Sequence, residues 1–252
     1  MNDLPGLFIT GTDTGVGKTY VGGLIARQLA AQGHRVGVYK PAASGCLRQN
    51  GTLVSEDAVA LWEAAGRPGD LEHVCPQRFA APLAPHLAAA AEGRRLDAEL
   101  MRRGLDYWRE RSDVLLVEGA GGLLSPMGER EYNADLAAAF GLPLVVVARN
   151  VLGCVNHALQ TLVVAATFGR WQNPTAPILW GGVGQNGSSE GLPVAGIVMN
   201  EPVAPPADDA SLSLNARELA NRCTVPLLAE IAWGDVAGPT ADWFSLAKGW
   251  KR

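Results

Sequence analysis

The sequence predicts an α/β fold, a mostly parallel open sheet flanked by helices. Three observations carry that prediction. Apolar runs of strand length alternate with longer helix-compatible segments, the pattern of a parallel sheet with crossover helices. The runs are continuous Val, Ile and Leu rather than alternating, so both faces of the sheet are expected to be covered. No composition break or internal repeat divides the 252 residues, so one domain spanning 1–252 accounts for the chain.

The elements follow in order. A strand over Gly6–Gly11 leads through a glycine-rich turn into a helix over Val16–Gln32, which Gly33 closes. Arg35–Lys40 is the second strand, and Glu56–Ala65 and Asp97–Glu110 are helices. Asp113–Glu118 is the third strand, followed by a helix over Asn133–Gly141 that ends on its glycine. Strands Leu142–Ala148, Val194–Asn200 and Pro226–Ile231 alternate with helices Val155–Phe168 and Ala210–Arg222. Trp171–Pro193, with Gly181, Gly182, Gly184, Gly187 and Gly191, is too glycine-rich for regular structure and is expected to form a long flexible surface loop.

Composition excludes several function classes. At 48% hydrophobic and 18% charged the chain is not disordered. Lys plus Arg number 21 against 25 for Asp plus Glu, and the basic runs stop at Arg94-Arg95 and Arg102-Arg103, so no nucleic-acid partner is expected. No apolar stretch approaches the roughly 20 residues that cross a bilayer, and Met1–Gly6 lacks a basic segment leading into an apolar one. Ser245–Arg252 is too short and glycine-broken for an amphipathic membrane helix. The expectation is a cytoplasmic protein with no membrane partner. Cys46, Cys75, Cys154 and Cys223 form no C-x-x-C pair and read as reduced thiols. His34, His73, His86 and His157 show no metal spacing and read as structural, and the scattered tryptophans, Trp62, Trp108 and Trp180 among them, as core or loop anchors.

The chemistry starts at Gly11-Thr12-Asp13-Thr14-Gly15-Val16-Gly17-Lys18-Thr19. A glycine-rich turn between strand and helix aims backbone N–H groups at phosphate oxygens, and the helix N-terminus adds positive partial charge. Lys18 would reach the β- and γ-phosphates, and the Thr19 hydroxyl a magnesium ion. The match to G-x-x-x-x-G-K-[ST] departs in one place: Thr12 stands at the first glycine position, with Gly11 one residue earlier. Glu118, at the end of Val114–Glu118, supplies a metal-side carboxylate, and Gly119, Ala120, Gly121 and Gly122 keep the backbone small beside the phosphates. Asp57 is a third acid at a helix start, where alone it would read as a carboxylate complementing the helix dipole. Lys40 emerges from the second strand on the same edge of the sheet. By position it is equally a phosphate-facing cation and a solvated lysine at a strand end.

Together with the phosphate loop, Lys40-Pro41-Ala42-Ala43-Ser44-Gly45, Ser55-Glu56-Asp57-Ala58, Pro85-His86, Val117–Gly122 and Leu152-Gly153-Cys154-Val155-Asn156-His157 resemble, in this order, the dethiobiotin synthetases, ATP-dependent ligases of biotin biosynthesis. The resemblance runs from about Leu7 to Trp233 and implies a P-loop NTPase fold. It implies ATP and Mg²⁺ as cofactors, and conversion of 7,8-diaminononanoate and CO₂ to dethiobiotin, ADP and phosphate. One amine captures CO₂ as a carbamate, its oxygen takes the γ-phosphoryl group, and the second amine closes the ring. Carried over residue by residue, Lys40 and Lys18 are the catalytic cations, and Thr19, Asp57 and Glu118 the magnesium positions. Asp13 to Thr19 with Glu118, Gly119, Ala120 and Gly121 contact the nucleotide, and Asn200 matches the adenine-reading asparagine, a position that otherwise reads as a turn-forming residue before Pro202. Ser44 matches a substrate contact. Gly153, Cys154, Val155 and Asn156 open a helix that in the family meets the substrate carboxylate from the second subunit of a homodimer. Leu228–Trp233 is similar to the family's nucleotide-base loop, with Ala232 where the family usually has proline.

Two other readings share the fold. Partitioning-type ATPase switches carry a second lysine early in the phosphate loop, where this chain has Asp13. A small-molecule kinase would share the loop and leave its product phosphorylated.

Overall fold

The computed structural model describes residues 4–129, 131–168, 191–206, 209–238 and 240–249. Six parallel strands make the main sheet. They are β1 (Gly6–Gly11), β2 (Val36–Tyr39), β7 (Val114–Gly122), β8 (Leu144–Arg149), β9 (Val194–Asn200) and β10 (Leu227–Ile231), side by side in the order β10-β9-β8-β1-β7-β2. Between β2 and β7 lie β3 (Ala42–Ala43), β4 (Leu47–Gln49), β5 (Thr52–Val54) and β6 (Gln77–Arg78). β3 pairs with β6, and β4 with β5 in a hairpin.

The helices are α1 (Lys18–Ala31), α2 (Glu56–Ala64), α3 (Leu71–Val74), α4 (Pro85–Ala91), α5 (Ala98–Arg103), α6 (Asp106–Arg109), α7 (Asn133–Phe140), α8 (Cys154–Thr167), α9 (Leu212–Ala220) and α10 (Trp243–Lys248). The α/β prediction holds, and so does its reason: β1 and β2 are buried at every residue, as strands covered on both faces must be. One apolar core runs from Leu7–Ile9 through Val114–Val117 to Leu144–Ala148, with a small satellite of Phe79, Ala88 and Ala89 under α4.

The strand order positions the site. From β1 the chain crosses to β2 at one edge, returns to insert β7 between them, and then proceeds outward from β8 on the far side of β1. Connections thus leave β1 and β8 in opposite directions, and a crevice opens beyond the carboxyl ends of the strands, the usual ligand position in such sheets.

Two expectations are corrected. The helix expected over Asp97–Glu110 is two short helices, broken where Gly104 lies against the Tyr39 ring, whose hydroxyl donates to Met101 O at 2.7 Å. The third strand runs four residues past Glu118, to Gly122, so the glycine-rich segment lies beside β1, with Gly122 opposite Gly11. The C-terminal region is helical at α10, which no periodicity announced. The loop expected over 171–193 lies, through residue 190, outside the described residues; Leu192 N–H donates to Ala165 O at 2.7 Å as the chain enters β9.

Two of the histidines do structural work. His34 stacks on Phe244 of α10 with ring centroids 3.9 Å apart, and His73 on Tyr107 at 3.7 Å. Trp108 is buried as expected. Trp243 is also buried, and its Nε1–H donates to Gln28 Oε1 of α1 at 2.9 Å, so this one side chain anchors α10 to the helix that leaves the phosphate loop. We expect Trp243→Ala to destabilise the fold by about 3–5 kcal/mol, the usual cost of emptying a large buried aromatic position. Urea denaturation measures it, and a loss below about 1 kcal/mol would mean that α10 is dispensable.

Candidate active site

β1 delivers the chain into the turn Thr12–Gly17 and α1 starts at Lys18. Gly17 caps α1 with φ 91°, and no side chain accepts from the first turn, so the helix begins with open N–H groups. That is an anion site by construction. Gly17 also has no room for a side chain: a Cβ there would lie 2.1 Å from Asn200 Nδ2. The Lys18 ammonium folds back to donate to Asp13 O at 3.1 Å, and the Asp13 carboxylate accepts from Thr14 N–H at 2.7 Å.

A buried ionic cluster lies beside the loop. Lys40 is 4% exposed and Glu118 is 1% exposed. The Lys40 ammonium donates to Glu118 Oε1 and, at 3.0 Å, to Asp57 Oδ2. Thr19 Oγ1 donates to the same Glu118 oxygen at 2.9 Å. Burial works against the Lys40 charge, but Glu118 and Asp57 outweigh it and hold the ammonium above the ordinary lysine range. For Asp57, burial favours the neutral acid, and the attraction of Lys40 prevails and holds the carboxyl below its usual value. Lys18 moves the other way: burial, added to by Lys40, pushes it below the ordinary lysine value despite Glu118.

The donor set fits magnesium. Thr19, Asp57 and Glu118 offer only hard oxygen, and Glu118 Oε2 is buried without a hydrogen-bond partner. Among the described residues no three His, Cys, Asp or Glu side chains cluster as a metal cage. Two carboxylates and a hydroxyl suit a cation that fills its remaining positions with water and substrate phosphates.

These groups share one cavity of about 920 Å³. Of the residues singled out from sequence, Thr14, Gly15, Gly17, Lys18, Thr19, Lys40, Ser44, Asp57, Glu118, Gly119, Ala120 and Gly121 line it. Asp13, which is exposed, and Val16, which is buried, do not line it. Asn200 is fully buried against the loop, donating from Nδ2 to Val16 O at 2.9 Å and leaving Oδ1 without a partner. Gly153, Cys154, Val155 and Asn156 are not part of the cavity wall. Gly153 caps α8 with φ 94° and no side-chain cap, a second open helix start, beside Leu152, which is 83% exposed.

The sequence reading missed much of the remaining wall: Tyr20, Pro82, Leu83, Ala84, Ser125, Pro126 and Glu201, while Pro85, quoted with His86, and Pro202 also line it. Trp233, placed in the base loop only by resemblance, also lines it and is 57% exposed. Glu201 was findable as the residue after a strand-end asparagine. It accepts from Trp233 N–H at 3.3 Å and from Asn150 Nδ2 at 3.2 Å, tying that end of the cavity to the β8–α8 connection.

A strand, a glycine turn, an open helix start and an invading lysine, set at the carboxyl edge of a parallel sheet, define a nucleotide-binding protein of the phosphate-loop class. A family model described as "AAA domain" matches residues 5–240. The chain is 38% identical over 235 residues to the "ATP-dependent dethiobiotin synthetase BioD" of Rhodopirellula baltica, covering 89% of this chain and 82% of that one. It is 43% identical over 228 residues to the protein of the same name from Anaeromyxobacter dehalogenans, covering 90% of both. The chain belongs to the dethiobiotin synthetase family. Of solved structures, the signal recognition particle receptor FtsY of Elizabethkingia anophelis aligns with a TM-score of 0.50 at 12% identity, over 98% of this chain and 65% of that one, a likeness of fold alone.

We expect Gly17→Ala to weaken ATP binding at least tenfold. The left-handed backbone costs a residue with a Cβ about 1–2 kcal/mol, and the new methyl must displace Asn200 from the loop. Isothermal titration calorimetry with ATP measures this, and an unchanged affinity would mean that the loop does not grip phosphate.

Proposed function

We propose that the chain is an ATP-dependent cyclo-ligase that converts 7,8-diaminononanoate, CO₂ and ATP to dethiobiotin, ADP and phosphate. The observation that carries the mechanism is the buried Lys40 ammonium, held between Glu118 and Asp57 in the cavity that the phosphate loop opens into.

The chemistry needs cations rather than a side-chain nucleophile. One amine of the substrate adds to CO₂ and loses a proton, giving a carbamate. A carbamate oxygen attacks the γ-phosphorus and ADP leaves. The second amine then attacks the carbamoyl carbon, phosphate leaves with the C–O bond broken, and loss of the amine proton completes the five-membered ureido ring. Negative charge gathers on the transferring phosphoryl and carbamate oxygens. Lys18 and Lys40 meet it with charges already in place and shielded from water, which is electrostatic stabilisation. Thr19, Asp57 and Glu118 would hold magnesium, which supplies charge neutralisation on the phosphates.

Ser44, in the cavity wall, is suited to contact the diamine end, and Trp233 with Glu201 to border the base. Asn200 Oδ1, buried and unpartnered, is a free acceptor beside the loop, as reading an adenine amine requires. Gly153 to Asn156 serve the substrate carboxylate of a second copy in a homodimer; the open start of α8 and the exposed Leu152 support this. The four cysteines, all free thiols, support a reducing, cytoplasmic setting.

The direct test is purified protein with ATP, Mg²⁺, bicarbonate and 7,8-diaminononanoate, with the product identified by mass spectrometry. Dethiobiotin supports the reading; a phosphorylated end product, or none, overturns it. Lys40→Gln should lower kcat about a hundredfold, the roughly 3 kcal/mol that an oriented charge contributes to a transition state, while changing ATP affinity less than threefold. A kcat within threefold of wild type would assign Lys40 to the fold rather than the reaction. Asp57→Asn and Glu118→Gln should each raise the Mg²⁺ concentration for half-maximal activity, because each removes a charge from a hard-cation site. Unchanged half-saturation in both would remove them from the metal site.

A further inference from the structure

Asn133, the first residue of α7, does not itself line the cavity, yet it is fully buried against residues that do. Its Nδ2 donates to Ala120 O and, at 2.9 Å, to Gly122 O, while its Oδ1 accepts from Ala120 N–H at 3.3 Å. Two carbonyls face one end of the carboxamide and an N–H faces the other, so only one orientation of the amide satisfies all three groups. The backbone repeats the attachment. Asn133 N–H donates to Ser125 O at 3.1 Å, Ala134 N–H to Leu123 O at 2.9 Å, and Ser125 Oγ accepts from Gly122 N–H at 2.9 Å.

The segment held this way is the one that carries the site. It begins at Glu118, contributes Gly119, Ala120 and Gly121 to the cavity, and ends with Gly122 in register with Gly11, where the phosphate loop starts. Its small residues give it little side-chain packing of its own, and Gly121 takes φ 76°. A strand end of this composition samples many backbone states unless something outside it removes them.

We propose that Asn133 is a positioning residue for the nucleotide site: by fixing the peptide groups of Ala120 and Gly122 it holds the Glu118–Gly122 segment in the conformation that borders the nucleotide phosphates. This rests on the reading of the cavity as a nucleotide site. Isoleucine or alanine would fill part of the space, but only a side chain with two donors and an acceptor matches the three groups presented.

The test compares ATP binding by titration calorimetry in Mg²⁺ buffer for wild type, Asn133→Ala and Phe140→Leu, each well below its melting temperature. Phe140 is buried on the same helix and packs at a tilt against Phe8 and Tyr39, with ring centroids 6.3 Å apart in each pair, so its truncation loosens α7 without removing a hydrogen bond to the segment. Asn133→Ala should weaken ATP binding tenfold or more, and Phe140→Leu less than twofold at a comparable fall in melting temperature. Should Asn133→Ala not fold, Asn133→Asp replaces it: isosteric, it keeps the acceptor for Ala120 N–H, turns the two donations into repulsions, and should weaken binding at least as much. An Asn133 variant within twofold of wild type, or a Phe140→Leu variant that weakens binding equally, overturns the proposal. A wild-type chain that binds no ATP overturns the reading of the site and this inference with it.

Discussion

Everything at the site depends on one buried ion pair, Lys40 with Glu118. Moving two charges out of water costs several kcal/mol each, and their attraction balances that only when geometry and further hydrogen bonds are good. Here Glu118 Oε1 also accepts from Thr19, and Lys40 also donates to Asp57, so the pair extends to the first turn of α1 and the first turn of α2. The pair thus ties the adjacent ends of β2 and β7 to the starts of both helices. It also keeps acids and cation charged in the same small volume, the state that a phosphoryl-transfer site needs.

The pair exists because of strand register. Tyr39 stands opposite Val117 across β2 and β7, so the next residue on each strand, Lys40 and Glu118, emerges at the same level and on the same face. Ile9 of β1 stands opposite Glu118 on the other side, which sets the start of the phosphate loop against the same carboxylate. A slip of one residue would turn Glu118 toward the opposite face of the sheet. The register is held by Val36, Val38, Leu115 and Val117, all buried, so the catalytic geometry is a consequence of how apolar side chains fill the core.

Much of this was legible in the chain. Continuous apolar runs gave the strands, and the Gly11–Thr19 pattern with its strand before and helix after gave the loop. That Lys40 and Glu118 reach the same edge followed from the fold class. That they touch did not, because strand order decides it, and no local pattern reports that β7 inserts between β1 and β2. The break at Gly104 was hidden for the same reason, its cause being a tyrosine from a distant strand. The hairpin β4–β5 is a different case. Asn50-Gly51 takes φ 49° and 85°, the backbone of a two-residue hairpin turn, and this dipeptide was a signal in the sequence that the reading passed over. The walls at Pro82, Leu83, Ala84 and Glu201 carry no motif and become visible only as neighbours of the loop in space.

The same strand order imposes a schedule on the chain as it is made. β1 and β2 leave the ribosome early but are not neighbours; the slot between them belongs to β7, whose first residue is Val114. At the usual pace of synthesis, about 5–20 residues per second, the two strands wait several seconds or more with their apolar faces uncovered before their common partner emerges. The four residues that gather around the site, Thr19, Lys40, Asp57 and Glu118, therefore come together only after β7 has emerged, however early the phosphate loop is made.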